Sequence, residues 1–355
     1  MIPADHQRID ATVWTLTRAW PRPDGDVPLE LTRVGDDSMR HDLVGRWYPD
    51  PDAASHECAR IEGARLGDDP RLLLQPHGAD RKLPGLAPAL DAGATLIAHR
   101  PGKRAVIRTS DGSFVKFVRA GRTSTLALRH RQLAMALGDT AAVPRIRDEH
   151  DDRVVLEPMP GRTPLERDAR SLDDDFGRIG RMLAALSRHP GDDLPTHDAA
   201  AEAEVTRGWV ERAVRAGRLP AADIEPALRP LTGPATTELV CAHRDLHDGQ
   251  LLMTDDGLTV LDPDTLCRAE PALDLANLLV HLDLRVAQHL LSDDGRTRAR
   301  EAVLDAAAPS MPTRQRLPAY EQACRLRLAA VYAFRPRWHA LARRLFADEL
   351  ARSAP

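Results

Sequence analysis

The sequence is poor in lysine and asparagine. Of its 49 lysine and arginine residues only three are lysines (Lys82, Lys103 and Lys116), and Asn277 is the sole asparagine. A GC-rich coding sequence produces such a skew, so a lysine kept at a given place carries more information than usual. The four cysteines (Cys58, Cys241, Cys267, Cys324) are scattered, with no Cys-x-x-Cys pair. That argues against a disulfide framework or a structural zinc site and for reduced thiols. No apolar run reaches the roughly 18 to 20 residues needed to cross a bilayer. The N-terminus, Met1-Ile2-Pro3-Ala4-Asp5-His6, lacks a basic segment followed by an apolar one. A cytoplasmic protein with no membrane partner is therefore expected. Cationic excess is missing too. The formal net charge is −4, whereas a nucleic-acid partner would favour a strongly basic surface. The sequence carries no signature of oligomeric state.

What is present is an ordinary globular composition, 43% hydrophobic and 29% charged over 355 residues, enough for two or three structural units. Residues 1–90 read as a mixed N-terminal extension packed on the lobe that follows. Within it, segments 29–34 and 43–48 have strand composition, and the polar stretch Gly35-Asp36-Asp37-Ser38 begins the connection of a hairpin. Residues 91–160 read as a small lobe. Strands are expected over 95–98, 105–108, 114–118 and 153–156, and the apolar spacing of Leu126, Leu133 and Leu137 predicts a helix over 123–137. Residues 161–355 read as helical, with helices over 172–187, 198–216, 271–291, 296–307 and 313–333. Ser171 is expected to cap the first of these, with Asp174 completing a capping box. A strand-rich interruption at 238–262 breaks the helical pattern. The fold class is thus α+β and two-lobed, with the cleft between the lobes as the ligand site.

The interruption holds the chemistry. The polar loop His243-Arg244-Asp245-Leu246-His247-Asp248-Gly249-Gln250 leads into Leu251-Leu252-Met253, a turn at Asp255-Asp256-Gly257, and Thr259-Val260-Leu261. A loop followed by a hairpin brings Asp262 back beside Gln250 and Asp245. Phosphoryl transfer needs such a set: one carboxylate for the acceptor hydroxyl, and an amide oxygen with a second carboxylate for magnesium on the phosphates. His243 and His247 stand at i, i+4, a spacing that suits zinc on a helix. Asp248-Gly249 and the strand context argue against a helix there.

Three ordered stretches carry a more specific signal. They are the loop 243–250, Leu261-Asp262-Pro263-Asp264-Thr265-Leu266, and Ala269-Glu270-Pro271-Ala272-Leu273-Asp274-Leu275-Ala276. Together they resemble the catalytic loop and metal strand of the aminoglycoside phosphotransferase and choline kinase superfamily, which shares the protein-kinase-like fold. The usual forms there are H-G-D-x-H-x-x-N, I-D-F/W-x-x-A and G-D-P-x-x-D-L-A. The resemblance covers about 94–290. It implies that Asp245 is the catalytic base, that Gln250 and Asp262 hold Mg2+, and that His243 and Asp274 support the loop. Lys116, on the third strand of the small lobe, stands where the superfamily pairs a lysine with the phosphates of ATP (or GTP). Arg100 and Gly102 fall where a phosphate-covering turn would lie, and Glu157 and Met159 where a hinge would hold the base. His247 and Asp248 are candidates for substrate contact, as is the acidic stretch Asp173-Asp174-Asp175.

Departures from the family pattern are equally specific. Gln250 replaces asparagine, Pro263 replaces an aromatic residue, and His130 stands where a glutamate usually pairs with the lysine. The arginines near the end (Arg325, Arg327, Arg335, Arg337, Arg343, Arg344) read as a solvated helix face. The resemblance implies an ATP- and Mg2+-dependent phosphotransferase acting on a hydroxyl of a sugar, amino sugar, antibiotic or related alcohol. The alternatives are a kinase for Ser/Thr of a precursor peptide and a nucleotide-binding pseudokinase.

Overall fold

Alternating apolar and polar residues turn the first part of the chain into a sheet. In this computed structural model, which describes residues 2–23, 25–35, 40–233 and 238–353, strands β1 (His6–Ile9), β2 (Thr12–Ala19), β3 (Val27–Val34) and β4 (Arg40–Trp47) form an antiparallel meander. Helix α1 (Pro51–Cys58) follows, and β5 (Arg65–Leu66) and β6 (Leu72–Leu74) complete the sheet in the order β1-β2-β3-β4-β6-β5. The expected hairpin is the β3–β4 pair. Asp36, Asp37 and Ser38 of its connection lie outside the described residues.

A short helix α2 (Leu86–Asp91) leads to a second antiparallel sheet. Its strands β7 (Thr95–Arg100), β8 (Arg104–Arg108), β9 (Phe114–Val118), β10 (Ile146–Glu149) and β11 (Arg153–Leu156) lie in the order β10-β11-β9-β8-β7. Helix α3 (Thr123–Leu137) connects β9 to β10. Strand alternation sorts the side chains of β9. Val115 and Phe117 join Leu83, Leu86, Ala105 and Ile107 in a small core, while Phe114 and Lys116 face the cleft.

The larger lobe is helical. It comprises α4 (Leu172–Leu186), α5 (Ala199–Arg215), α6 (Glu225–Leu228), α7 (Ala272–Ala287), α8 (Asp293–Ala307), α9 (Met311–Tyr332) and α10 (His339–Ser353). Four short strands interrupt it as two pairs: β12 (Val240–Ala242) with β15 (Cys267–Ala269), and β13 (Leu251–Met253) with β14 (Leu258–Val260). The apolar run of α7 is buried from Ala272 to Leu282. Gly180 lets α4 press against α8, because a Cβ there would lie 2.6 Å from the Val303 carbonyl oxygen.

The N-terminal sheet was expected on the small lobe. It touches both lobes. Asp80, in the chain that follows β6, reaches His99 of β7 and Gly102 of the β7–β8 turn. On the other side the Ala19 N–H donates to the Phe334 carbonyl at 3.0 Å, and Arg218 pairs with Asp5 at 2.5 Å. The capping box at Ser171 does not form. Its hydroxyl instead donates to the Asp168 carbonyl (2.8 Å) and to Asp175 (3.0 Å).

Candidate active site

The loop after β12 is shaped by buried partners. Asp274, in the first turn of α7, accepts the backbone N–H groups of His243 (2.6 Å) and Arg244 (2.7 Å). Asn277, one turn further on, donates to the Arg244 carbonyl at 2.7 Å. The Arg244 peptide is thus clamped from both sides, and Arg244 adopts a left-handed φ of 70°. Non-glycine residues hold such a conformation only where the surroundings over-determine it. The next residue, Asp245, projects into solvent. His243 is fully buried and pins the loop to the end of β14 through a 2.8 Å contact between Nε2 and the Leu261 carbonyl.

Asp262 follows β14 in a second left-handed conformation, φ 53° and ψ 60°. One carboxylate oxygen accepts from Lys116 Nζ at 2.6 Å, and the other lies 3.4 Å from Arg104. Asp264 accepts from both of the same cations. Burial opposes ionisation of Asp262, but Lys116 and Arg104 outweigh it and hold its carboxyl well below the usual range. Lys116 therefore pairs with two aspartates, and His130 is not its partner. His130 Nδ1 lies 3.3 Å from the Pro144 carbonyl oxygen and Nε2 has no partner.

A cavity of about 580 Å³ opens beside these groups. Lys116, Arg104, Gln250 and Asp262 line one part of it, and Leu156, Glu157 and Met159 another. Arg100 also lines it, stacked on Trp20 at 5.2 Å. Three lining residues were not foreseen: Arg18, Trp20 and Glu30 come from the N-terminal sheet. Arg104, at the end of the same turn as Arg100, lines it too.

Other expected residues are placed differently. The Gly102 N–H does not face the cavity; it is committed to Asp80 at 2.5 Å. Gly102 has φ 67°, a left-handed conformation that favours glycine, and a Cβ there would also push the Arg46 guanidinium aside. Asp248 is buried, with both of its oxygens accepting from Arg285 Nε, each at 3.0 Å. His247 caps the 248–250 turn by accepting the Gly249 N–H at 3.0 Å, and its ring stacks on His281. Asp173, Asp174 and Asp175 are paired with Arg298, Arg178 and Arg167. The C-terminal arginines are not simply solvated. Arg327 donates to Glu202 (3.0 Å) and Asn277 (2.5 Å), and Arg325 to Glu349.

The donors near Lys116 suit a hard divalent cation: two carboxylates and one amide, all oxygen. No three His, Cys, Asp or Glu side chains converge as a metal cage among the described residues.

Residues 95–320 match the model of the phosphotransferase enzyme family described as APH. The chain belongs to this family. It is a phosphotransferase. Among solved structures, the aminoglycoside phosphotransferase APH(3'')-Id from Streptomyces rimosus, in complex with ADP and streptomycin, is 21% identical. That match covers 70% of this chain and 98% of that one, with a TM-score of 0.52. The streptomycin–ATP ternary complex of APH(2'')-IIa is 13% identical, covering 73% and 90% of the two chains with a TM-score of 0.50. These likenesses speak to the two-lobed kinase-like fold. No curated protein sequence matches the chain. No helix among the described residues is long and apolar enough to cross a membrane.

Proposed function

We propose that this phosphotransferase moves the γ-phosphate of ATP, with Mg2+, to a hydroxyl of a small molecule. Residues 91–160 form its nucleotide-binding lobe, residues 161–355 its catalytic and acceptor lobe, and residues 1–90 an extension that reaches the nucleotide. The observation that carries the reading is that Lys116, Arg104 and Asp262 line the 580 Å³ cavity while Asp264 pairs with both of these cations beside it. Two cations and two carboxylates held this close suit a polyphosphate–metal complex better than a neutral ligand.

The roles follow from position. Leu156, Glu157 and Met159 would hold the base, and Lys116 and Arg104 the phosphates. Asp262, Asp264 and the Gln250 amide would hold magnesium, which would supply positive charge to the phosphates when bound. Asp245 orients the acceptor hydroxyl and takes its proton as the oxygen attacks phosphorus. The clamp on Arg244 keeps that carboxylate in place without a conformational search. The missing glutamate favours no pseudokinase reading, because Asp262 and Asp264 already position Lys116.

The test is phosphate transfer from ATP across sugars, aminoglycosides, nucleoside antibiotics and Ser/Thr peptides. Asp245→Asn is expected to lower kcat by about 10²- to 10⁴-fold while the Kd for ATP stays within about twofold. An unchanged kcat in that variant would sink the assignment of Asp245.

A further inference from the structure

A second cavity, of about 640 Å³, adjoins the transfer centre on the side of α3. Arg104 lines both cavities, and Asp264 lines the second. Its remaining charged residues are all cations: Arg22, Lys82, Lys103, Arg119, Arg122 and Arg129. Two of the three lysines in the chain are therefore here. Asp264, the one carboxylate, is already shared between Lys116 and Arg104. Lys82, Lys103, Arg122 and Arg129 form no ion pair among the described residues. Such a concentration is unexpected in a chain of net charge −4.

Two further observations point to an anion. Helix α3 begins at this cavity with no side-chain cap and no acidic residue in its first turn. Arg122, Thr125 and Leu126 of that turn line the wall. An uncapped helix start beside cations is a ready phosphate site. The cations also oppose one another. Burial first, and then Arg100 and Arg104, lower Lys103 to about 8; burial and neighbouring arginines lower Lys82 as well. An anion in their midst relieves that repulsion.

We propose that this cavity seats a phosphate group carried by the acceptor, so that the enzyme phosphorylates a hydroxyl compound that is already a phosphomonoester. The inference rests on the phosphotransferase reading above and names its substrate class. Arg104 links the two cavities, and Asp245 is near enough to favour its charged form. A phosphate in the basic cavity thus lies next to the transfer centre. A polycationic acceptor would meet like charge at the same wall. In the reaction, the acceptor oxygen forms a bond to the γ-phosphorus. The bond to the β–γ bridging oxygen breaks, with its electron pair leaving on the nucleoside diphosphate. The hydroxyl proton passes to Asp245 and then to solvent.

The test compares free sugars, their phosphomonoesters and aminoglycosides as acceptors, in the wild type and in Arg122→Ala/Arg129→Ala. Neither arginine lines the nucleotide cavity, so displacement of a fluorescent nucleotide reports ATP binding separately. A phosphomonoester is expected to exceed its parent alcohol in kcat/KM at least tenfold. Its KM should rise about tenfold or more in the double variant, and should climb with ionic strength in the wild type. Inorganic phosphate, titrated calorimetrically into wild-type protein saturated with Mg2+ and a non-hydrolysable ATP analogue, should bind. No heat in that titration, or turnover of a neutral or cationic acceptor at a KM the double variant leaves unchanged, overturns the inference. So does a phosphomonoester that only modulates turnover of another alcohol, which would make the cavity an effector site. Failure of the wild type to bind ATP would instead remove the phosphotransferase reading, and the inference with it.

Discussion

His130 lies on the buried face of α3, with Nε2 unpaired and Lys116 close by. Burial, and then the Lys116 charge, lowers its pKa from an ordinary 6.5 to about 4. At neutral pH both the folded and the unfolded chain carry it uncharged, so it contributes no pH dependence there. As pH falls below about 6.5, the unfolded chain takes up a proton that the folded one refuses. Stability is therefore lost on acidification until about pH 4, where the folded state also protonates. Replacing the ring with an uncharged amide, His130→Gln, removes this term. In urea melts between pH 7 and 4.5 the variant is expected to lose less stability than the wild type. Parallel losses would show that other groups govern the acid limb. At this scale the sequence was informative where chemistry restricts the residue type. Lys116, Asp245 and Asp262 stood out because few residues can replace them. The pairing of Arg104 with Asp262 and Asp264 was not readable, since it depends on a contact 160 residues away in the chain.

At the scale of elements, the site depends on the first two turns of α7. Asp274 and Asn277 occupy one face of that helix, one turn apart, and together hold both ends of the Arg244 peptide. Asn277 is fixed in turn by Arg327, which is fixed by Glu202, which pairs with His197 at 2.8 Å. Asp274→Asn keeps the volume but turns one acceptor into a donor, leaving a buried N–H unpaired. The expected cost is about 1–3 kcal/mol in unfolding free energy, with kcat reduced more than the KM for ATP. A change in KM alone would mean that the clamp does not position Asp245. Elements with strong periodicity were legible from the sequence. The strand at 114–118 and the helix at 123–137 agree residue for residue with β9 and α3. Ends fared worse, because caps depend on local bonds that composition does not report. Helix α8 starts at Asp293 rather than 296, since the Ser292 hydroxyl accepts the Gly295 N–H at 3.0 Å. Helix α7 stops at Ala287 rather than 291, and His289 turns left-handed at φ 60° without a glycine to announce it. The Asn277–Arg327–Glu202 network joins three helices, and no local pattern could reveal it.

For the whole molecule, the N-terminal sheet contributes to the walls of the 580 Å³ cavity. Arg18, Trp20 and Glu30 of the N-terminal sheet line a cavity that is otherwise built from the second sheet and the larger lobe. Trp20 is stacked between Arg18 at 4.7 Å and Arg100 at 5.2 Å. Arg18, Arg100 and Arg104 therefore line one cavity from two sheets. Burial first, and then Arg335, lowers Arg18 to about 10, which leaves it charged at neutral pH. A buried guanidinium repelled by its neighbours gains most from an anion in the cavity. Arg18→Met keeps the stem that packs on Trp20 and removes only the charge. The KM for ATP is expected to rise about tenfold, one charged hydrogen bond's worth, with kcat within about twofold. Adenosine, which has no phosphates, should bind both proteins equally. If the variant binds ATP as the wild type does, the sheet serves as scaffold alone. That role would still be substantial: β2 bonds to the Phe334 carbonyl and Asp5 to Arg218, so the first sheet spans both lobes and constrains how far the cleft opens.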